Sequence, residues 1–267
     1  MIRIEQATLE AGGSVVLQDI DLTIRDGETT VLIGPNGAGK SSLVRLISGT
    51  ARPILGRVLI DAIPIDRFKA AKLALRRAVL TQIQEGGEGF TIEELARLGL
   101  RLTMRRVSPA TRQAWIDGAL ASVGLAGWGG RLVGTLSGGE RQRAHLARVL
   151  VQLRAGAVAS RPGALLLDEP IASQDPAQQL RVLEVAQAHA AMGGAVLLVL
   201  HDLNWAARVA DRIIALKDGH VIADGSAQTV LTRSTLADLF DVDLNPGSTP
   251  VDQPFVLPQM ATPLAKP

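Results

Sequence analysis

The stretch GPNGAGKS, residues 34–41, has the residue types and spacing of a phosphate cradle. It satisfies G-x-x-x-x-G-K-[ST] and lies between an apolar run and a helical run, which makes an ordinary glycine-rich turn the weaker interpretation. The glycines let backbone N–H groups wrap phosphates, the lysine reaches the outer phosphates, and the serine hydroxyl can ligate Mg²⁺. The pattern predicts a nucleoside triphosphate site made by Gly34, Pro35, Asn36, Gly37, Ala38, Gly39, Lys40, Ser41 and Ser42.

A second group of reactive side chains follows two apolar runs. Asp168 and Glu169 come directly after ALLL, and His201 follows AVLLVL. Parallel strands would bring all three to the sheet edge where ligands of open α/β sheets bind. There Asp168 would face Mg²⁺, Glu169 would act as general base on the attacking water, and His201 would donate to the terminal phosphate. Taken alone, the Asp-Glu-Pro sequence is as well explained by a capped turn, and a lone histidine at such a place is more often a turn residue. These predictions therefore depend on the phosphate cradle.

The segment GTLSGGERQR, residues 134–143, begins a helix in an unusual way. Ser137 is a good N-cap, and apolar residues follow it at helical spacing. Two glycines in the first turn cost about 1 kcal/mol each relative to alanine, which a purely structural start would avoid. They leave N–H groups uncovered at the positive end of the helix dipole, where phosphate binds. Ser137, Gly138 and Gly139 are therefore a second candidate phosphate contact.

Short apolar runs alternating with helical stretches supply the elements that must position these groups. The runs are residues 29–34, 164–169, 195–202, 212–219 and 220–225. This alternation predicts an α/β fold with a largely parallel sheet covered by helices.

A helical insert is predicted between about residues 86 and 139, where the β-type runs disappear. Thr91 and Glu94 have the spacing of a capping box, and Ser108 with Pro109 suits the start of another helix.

Two further segments are rich in helix-breaking residues. Residues 154–163 are predicted to form a loop because of their Gly, Ser and Pro content. Residues from 245 onward form a Pro-rich tail with low helical propensity.

Composition limits the function classes. The chain has 267 residues, 47% of them hydrophobic, which is enough to bury a substantial core. It has no cysteine, which excludes disulfides and thiolate metal sites. A net charge of +2 gives no indication of nucleic-acid binding. The N-terminus has no apolar signal-type run, and the longest apolar stretches fall short of the 18 or so residues that span a bilayer. Any membrane association is therefore expected to come through a partner.

Taken together, these motifs resemble the nucleotide-binding subunit of an ABC transporter. The likeness runs in order through residues 1 to about 240, and the pairing of LSGGE with a P-loop is its most specific part. The motifs that carry it are GPNGAGKS, Gln82 in VLTQ, LSGGERQR, ALLLDEP, Asp175 and LHD at His201.

The resemblance implies a P-loop NTPase (RecA-like) core with a mostly parallel sheet. It also implies an antiparallel β region near the N-terminus and a helical ABC subdomain. The expected organisation is a single ABC ATPase domain over 1–240, with a core at 1–85 and 140–240, a helical subdomain at about 86–139, and a Pro-rich extension at 241–267.

The resemblance also implies roles for individual residues toward ATP and Mg²⁺. Ser137, Gly138 and Gly139 would contact the γ-phosphate of an ATP held by the P-loop of a second copy, in a head-to-tail dimer. Gln82 would join Ser41 and Asp168 around Mg²⁺ and would act in catalysis beside Glu169 and His201. Asp175 would connect the two ATP sites.

Within the family, the chain is most similar to single-domain subunits of haem, siderophore and vitamin B12 importers. The run ARVLVQL and the longer loop before ALLLDEP most resemble haem importers. The implied partners are transmembrane permease subunits and, indirectly, a substrate-binding protein, with the chain peripheral at the cytoplasmic face of the inner membrane and no nucleic acid bound. The alternatives are a siderophore or vitamin B12 importer, an exporter subunit, and a soluble ABC ATPase.

The sequence departs from the family pattern in two places. The position that stacks adenine on an aromatic ring in many relatives aligns with Leu9, which predicts weak base stacking and tighter ATP binding in a Leu9→Tyr variant. The segment IASQD at 171–175 keeps Asp175 but replaces the usual residues before it.

Overall fold

A computed structural model of the chain describes residues 1–81, 86–101, 107–159, 161–172, 174–248 and 256–261. The strands in these residues are β1 Ile2–Ala11, β2 Ser14–Ile24, β3 Thr29–Ile33, β4 Leu55–Ile60, β5 Ile63–Pro64, β6 Arg77–Leu80, β7 Ala164–Asp168, β8 Val196–Val199, β9 Arg212–Lys217 and β10 His220–Gly225. The α-helices are α1 Lys40–Ser48, α2 Ala70–Ala74, α3 Ile92–Arg97, α4 Pro109–Ser122, α5 Gly138–Ala159, α6 Pro176–Ala191, α7 Leu203–Val209, α8 Ala227–Val230 and α9 Arg233–Phe240. None of these helices is long and apolar enough to cross a lipid bilayer.

Six strands form the central sheet in the order β10-β9-β3-β8-β7-β6. Every neighbouring pair is parallel except β9 and β10. Strands β3, β7 and β8 are buried along their whole length, as expected of parallel strands covered on both faces. The predicted parallel sheet is confirmed, and it brings the carboxyl ends of these three strands to one edge.

A second, antiparallel sheet contains β2, β1, β4 and β5 in that order, which confirms the antiparallel region near the N-terminus. Helix α1 shares a hydrophobic core with both sheets. The residues of that core include Ile2, Ile4, Leu43, Val44, Leu46, Ile47, Leu32 and Leu166. The helix that follows the phosphate cradle is therefore fixed by packing on two sides.

The described residues between 86 and 139 form helices and turns, including α3 and α4. The Thr91 hydroxyl accepts from the Glu94 N–H at 3.2 Å while the Glu94 carboxylate accepts from the Thr91 N–H at 2.8 Å, which confirms the capping box. Ser108 caps α4 by accepting from the Thr111 N–H at 3.1 Å. Both helices pack on α5, and their apolar side chains continue the core of the central sheet.

The predicted loop over residues 154–163 is wrong for its first six positions, because α5 continues to Ala159. Gly156 favoured the loop prediction, yet it lies within the helix. A Cβ at Gly156 would lie 2.4 Å from the carbonyl oxygen of Leu75, so this glycine allows a close approach between α5 and the segment before β6. The remaining residues of the run are good helix formers, and the contact outweighs the propensity cost of glycine.

Part of the Pro-rich tail is docked on the domain. Residues Pro258–Met260 form a 3-10 turn that contacts α6 and α7. The side chain of Gln259 is buried and donates to Asp202 Oδ2 at 2.7 Å. Since Asp202 caps α7, this part of the tail adds a tertiary hydrogen bond to the start of that helix.

Candidate nucleotide site

The phosphate cradle, residues 34–39, connects β3 to α1 as the sequence predicts. Gly34 has a φ of 154°, and a Cβ there would lie 2.1 Å from the Leu216 carbonyl oxygen. Gly39 has a φ of 100°, and its Cβ would lie 2.8 Å from the Val16 carbonyl oxygen. Both glycines are therefore required by close backbone contacts with β9 and β2, and these contacts fix the path of the loop.

The Lys40 side chain is folded into the cradle. Only 7% of the residue is exposed, and Nζ donates to the carbonyl oxygens of Gly34 and Pro35, both at 2.8 Å. Burial lowers the pKa of the Lys40 ammonium, while the carboxylates of Glu169 and Asp168 oppose that shift. The ammonium thus lies at the mouth of the cradle, held by acceptors that a phosphate oxygen could replace.

Asp168 is the last residue of β7 and lies next to Ser41 in the first turn of α1. Burial is the main cause that raises the pKa of its carboxyl, and a hydrogen bond from the Ser41 side chain opposes the shift. In the part of the chain that the structure describes, Oδ1 of Asp168 is buried and has no hydrogen-bond partner. A buried carboxylate oxygen beside a hydroxyl is a donor set suited to a hard divalent cation.

Glu169 and His201 meet at the same edge of the sheet. Oε1 of Glu169 lies 2.5 Å from Nε2 of His201, so one of these two atoms carries the shared proton. The Glu169 side chain is 16% exposed and that of His201 is 45% exposed, so the pair opens to solvent on the histidine side. The Glu169 N–H donates to the Val199 carbonyl oxygen at 3.2 Å, which ties it to β8.

The start of α5 has a different environment. Ser137 and Glu140 form a capping box, with the Ser137 N–H donating to the Glu140 carboxylate at 2.8 Å. This backbone hydrogen bond is the main cause that lowers the pKa of Glu140. Ser137 and Gly138 are exposed. Within the described residues, no hydrogen bond or ion pair connects 137–139 with 34–42, so one chain does not bring the two candidate phosphate contacts together in this way.

A family model described as ABC transporter matches residues 17–172, from β2 through the residues that follow β7. The chain belongs to the ABC transporter family. This confirms the resemblance carried by the P-loop, the LSGGE segment and the Asp-Glu pair.

Full-length relatives place the chain among ATP-binding proteins of that family. It is 44% identical over 260 residues to the hemin import ATP-binding protein HmuV of Rhodopseudomonas palustris, covering 97% of this chain and 95% of that one. It is 41% identical over 267 residues to HmuV of Bartonella henselae, covering all of both chains. This ABC protein is an ATPase and binds ATP.

Solved ABC structures have the same fold. A bacterial ABC transporter cassette solved as a dimer superposes with a TM-score of 0.74 at 26% identity, covering 85% of this chain and 99% of that one. A dimeric cassette in a post-hydrolysis state, bound to ADP and Pi, superposes with the same TM-score at 25% identity and the same coverage.

Gln82 and Asp175 are the remaining predicted ABC site residues. Gln82 lies outside the described residues. Asp175 is exposed at the N-cap of α6, where its carboxylate accepts from the Gln178 N–H at 3.0 Å.

The prediction that Leu9 occupies an adenine-stacking position is wrong. Leu9 is 5% exposed and packs in the core between the antiparallel sheet and α1. Register shifts in β1 on both sides of Leu9 place Ala7, Thr8 and Leu9 all in buried positions, so simple alternation does not hold there. Tyrosine at this position would overpack the core, and Leu9→Tyr is expected to destabilise the fold rather than tighten ATP binding.

Sequence reasoning missed a contact to the backbone of Glu169. The amide of Gln142, in the second turn of α5, donates to the Glu169 carbonyl oxygen at 3.0 Å. Glutamine is an ordinary helix residue, and nothing in the spacing of Gln142 indicates this contact. Only the packing of α5 beside β7 creates it.

Proposed function

We propose that this ABC ATPase is the nucleotide-hydrolysing subunit of an importer that moves haem across a membrane. The observation that carries the proposal is the 41–44% identity, over nearly the whole chain, to proteins named hemin import ATP-binding protein. Transmembrane permease subunits would form the path for haem, and a substrate-binding protein would act indirectly by delivering it. The ATPase would then be peripheral, at the cytoplasmic face of the inner membrane.

ATP would bind through residues 34–42. The Lys40 ammonium, now bonded to the carbonyl oxygens of Gly34 and Pro35, would exchange those acceptors for oxygens of the β- and γ-phosphates. A charge-assisted hydrogen bond to phosphate is stronger than one to a carbonyl, so this exchange favours the nucleotide-bound state.

Asp168 and Ser41 would hold Mg²⁺, with Gln82 as a further oxygen ligand. The buried, unpartnered Oδ1 of Asp168 supports this assignment, because burial makes the carboxylate costly to keep ionised without a cation nearby. When bound, Mg²⁺ would neutralise charge on the transferred phosphate.

Glu169 would act as the general base and His201 as its neighbour at the γ-phosphate. The carboxylate of Glu169 would accept a proton from the attacking water. The 2.5 Å contact with His201 would orient that carboxylate before nucleotide binds. In the closed state, the exposed side of His201 would be available to donate to the γ-phosphate.

The start of α5 would complete the site of a second copy. Ser137, Gly138 and Gly139 would present their N–H and hydroxyl groups to the γ-phosphate held by the partner's P-loop. The exposure of Ser137 and Gly138, and the dimers named for two cassettes at 25–26% identity, support a head-to-tail dimer. Asp175, exposed at the N-cap of α6, would connect the two ATP sites.

Closure of the dimer would be coupled to the conformation of the permease. ATP would bring two copies together and bury both γ-phosphates, which moves the permease between its inward and outward states. Hydrolysis and phosphate release would reopen the dimer and reset the permease.

Transport in reconstituted vesicles tests the proposal. The subunit and its native permease are placed in vesicles, and ATP-driven movement of haem is compared with that of cobalamin and a ferric siderophore. The expected result is ATP-dependent haem movement that stops in Glu169→Gln, with little movement of the other two. Movement of cobalamin or siderophore without haem would contradict the haem assignment, and failure to bind any polytopic permease would contradict the transporter role.

A further inference from the structure

Glu169 has an unusual backbone. Its φ is 51°, in the left-handed region that residues with a Cβ rarely adopt. Such conformations persist when surrounding contacts enforce them, and they cluster at functional sites. The direction of the Glu169 carboxylate therefore depends on groups that hold its main chain.

Gln142 supplies one such contact. Its Nε2 donates to the Glu169 carbonyl oxygen at 3.0 Å, from a half-buried position in α5. Gln142 lies four positions after Gly138, where α5 begins. The helix that starts at the exposed Gly138 thus reaches the backbone of the proposed general base of the same chain.

Gln174 holds Gln142 in turn. Its Nε2 donates to Gln142 Oε1 at 2.9 Å and to the Pro170 carbonyl oxygen at 2.9 Å. With its oxygen occupied in this way, the Gln142 amide can present only its NH₂ group to Glu169. Gln174 is one of the residues that replace the usual sequence before Asp175.

We propose that Gln142 and Gln174 form a relay of positioning residues for Glu169. The relay fixes the left-handed backbone of Glu169 and ties it to the start of α5. This inference rests on the proposed function, because there the start of α5 serves the partner's ATP while Glu169 serves its own chain's ATP. The relay then connects the two ATP sites within one chain, so that displacement of α5 on dimer closure shifts the carboxylate that activates water.

Steady-state ATPase measurements on the full chain with its permease test the first contact. Gln142→Ala is expected to lower kcat about tenfold, while the Kd for ATP changes less than about twofold. The Glu169 carbonyl oxygen would lose the Gln142 amide and keep the longer hydrogen bond from the Ala172 N–H at 3.4 Å, which holds its main chain less firmly. The matched control is Gln187→Ala, which removes another glutamine amide bonded to a main-chain oxygen, that of Val209, far from the site. The control is expected to keep wild-type kcat.

A double-mutant cycle tests the relay itself. Gln174→Ala should lower kcat less than Gln142→Ala does, and the double variant should be no slower than Gln142→Ala alone. Additive effects of the two changes would overturn the relay. So would a wild-type kcat in Gln142→Ala.

Gln174→Glu gives a readout that a merely structural role would not move. An ionised carboxylate there cannot donate to Gln142 or Pro170, whereas a protonated one can. The ratio of variant to wild-type kcat should therefore rise as the pH falls from 8 to about 5.5, toward the carboxyl pKa. A ratio that does not change with pH would overturn the relay.

These outcomes separate the relay from the proposed function. Full turnover in Gln142→Ala together with an inactive Glu169→Gln would remove the relay alone. Full turnover in Glu169→Gln would instead remove the general base and the proposed mechanism with it.

Discussion

Helix α1 follows the N-cap Gly39 and helix α5 begins at Gly138, so each has a glycine at its N-terminus, yet their surroundings are opposite. At the start of α1, Lys40 is buried and bonded to two carbonyl oxygens of the cradle. At the start of α5, Ser137 and Gly138 are exposed, and the hydrogen bonds of Ser137 stay within its own helix. One candidate phosphate contact is preorganised within a single chain, and the other is exposed at the surface.

The difference indicates which parts of the site are preorganised. Asp168, Glu169 and His201 are brought together by buried strands. Before nucleotide binds, Glu169 already contacts His201, and Asp168 already accepts a hydrogen bond from Ser41. Residues 137–139 have no comparable neighbours in the described chain. An exposed helix N-terminus can bind a phosphate only if another molecule, here the second ATP-loaded chain, brings that phosphate to it. Changes at the sheet edge should therefore affect binding or chemistry, whereas changes at the start of α5 should affect assembly.

The largest effect is expected from Glu169→Gln. Loss of a general base lowers rates by roughly 10²–10⁴-fold, while the amide keeps the size of the side chain and leaves ATP binding intact. ATPase turnover and a direct ATP titration measure the two effects separately. Loss of ATP binding in this variant would contradict the assignment of chemistry rather than binding to Glu169.

Lys40→Ala should weaken ATP binding itself. Removing a charged donor to phosphate is expected to cost about 3 kcal/mol, or roughly 100-fold in Kd. Calorimetric titration with ATP checks the value. Arg45→Ala, an exposed basic residue in the same helix, serves as the control and should bind nearly as wild type does.

Farther along α5, His145 should make stability depend on pH. Burial, with smaller effects of Arg148 and Arg141 opposed by Glu88, lowers the pKa of its imidazole to about 4. The unfolded chain would take up a proton near pH 6.5 while the folded chain resists it, so stability is full above 6.5 and falls toward pH 4, by about 2–3 kcal/mol.

Denaturant unfolding between pH 7 and 4 measures this slope. In His145→Phe the part of the slope due to this residue should disappear, while other groups still titrate. An unchanged slope would show that His145 is accessible to protons in the folded state and that this stretch of α5 is not buried as described.

The smallest effect on stability is expected from Ser137→Ala. This variant tests whether Ser137 acts only as a helix cap. Removing an N-cap costs about 1 kcal/mol. Ser108→Ala, which removes the cap of α4, should cost a similar amount and serves as the matched control. Thermal unfolding should show equal losses, but only Ser137→Ala should lower ATPase turnover. Equal ATPase turnover in the two variants would show that Ser137 only caps α5 and has no role at the ATP site.

Sequence patterns predicted the residues that follow a strand directly. The cradle, the Asp-Glu pair and His201 were located because short apolar runs place the next residue at the sheet edge. The same patterns failed where tertiary contacts override local preference. Gly156 continues a helix because Leu75 approaches it, and Leu9 turns inward because β1 is irregular.

The contacts of glutamine side chains could not be predicted for a different reason. Gln142, Gln174 and Gln259 each meet residues distant in sequence. Their partners are set by how α5, α6 and the tail pack, and glutamine carries no spacing rule of its own. Gln82 remains a prediction from the family resemblance.

The mass of the hydrolysis-blocked protein tests the composite site most directly. With ATP and Mg²⁺, Glu169→Gln should form a dimer of twice the 28.1 kDa chain mass by light scattering. Adding Gly138→Asp, which places a like charge against the partner's γ-phosphate, should leave ATP bound to the P-loop of a 28.1 kDa monomer. A monomer in Glu169→Gln despite bound ATP, or an unchanged dimer in the double variant, would contradict the account.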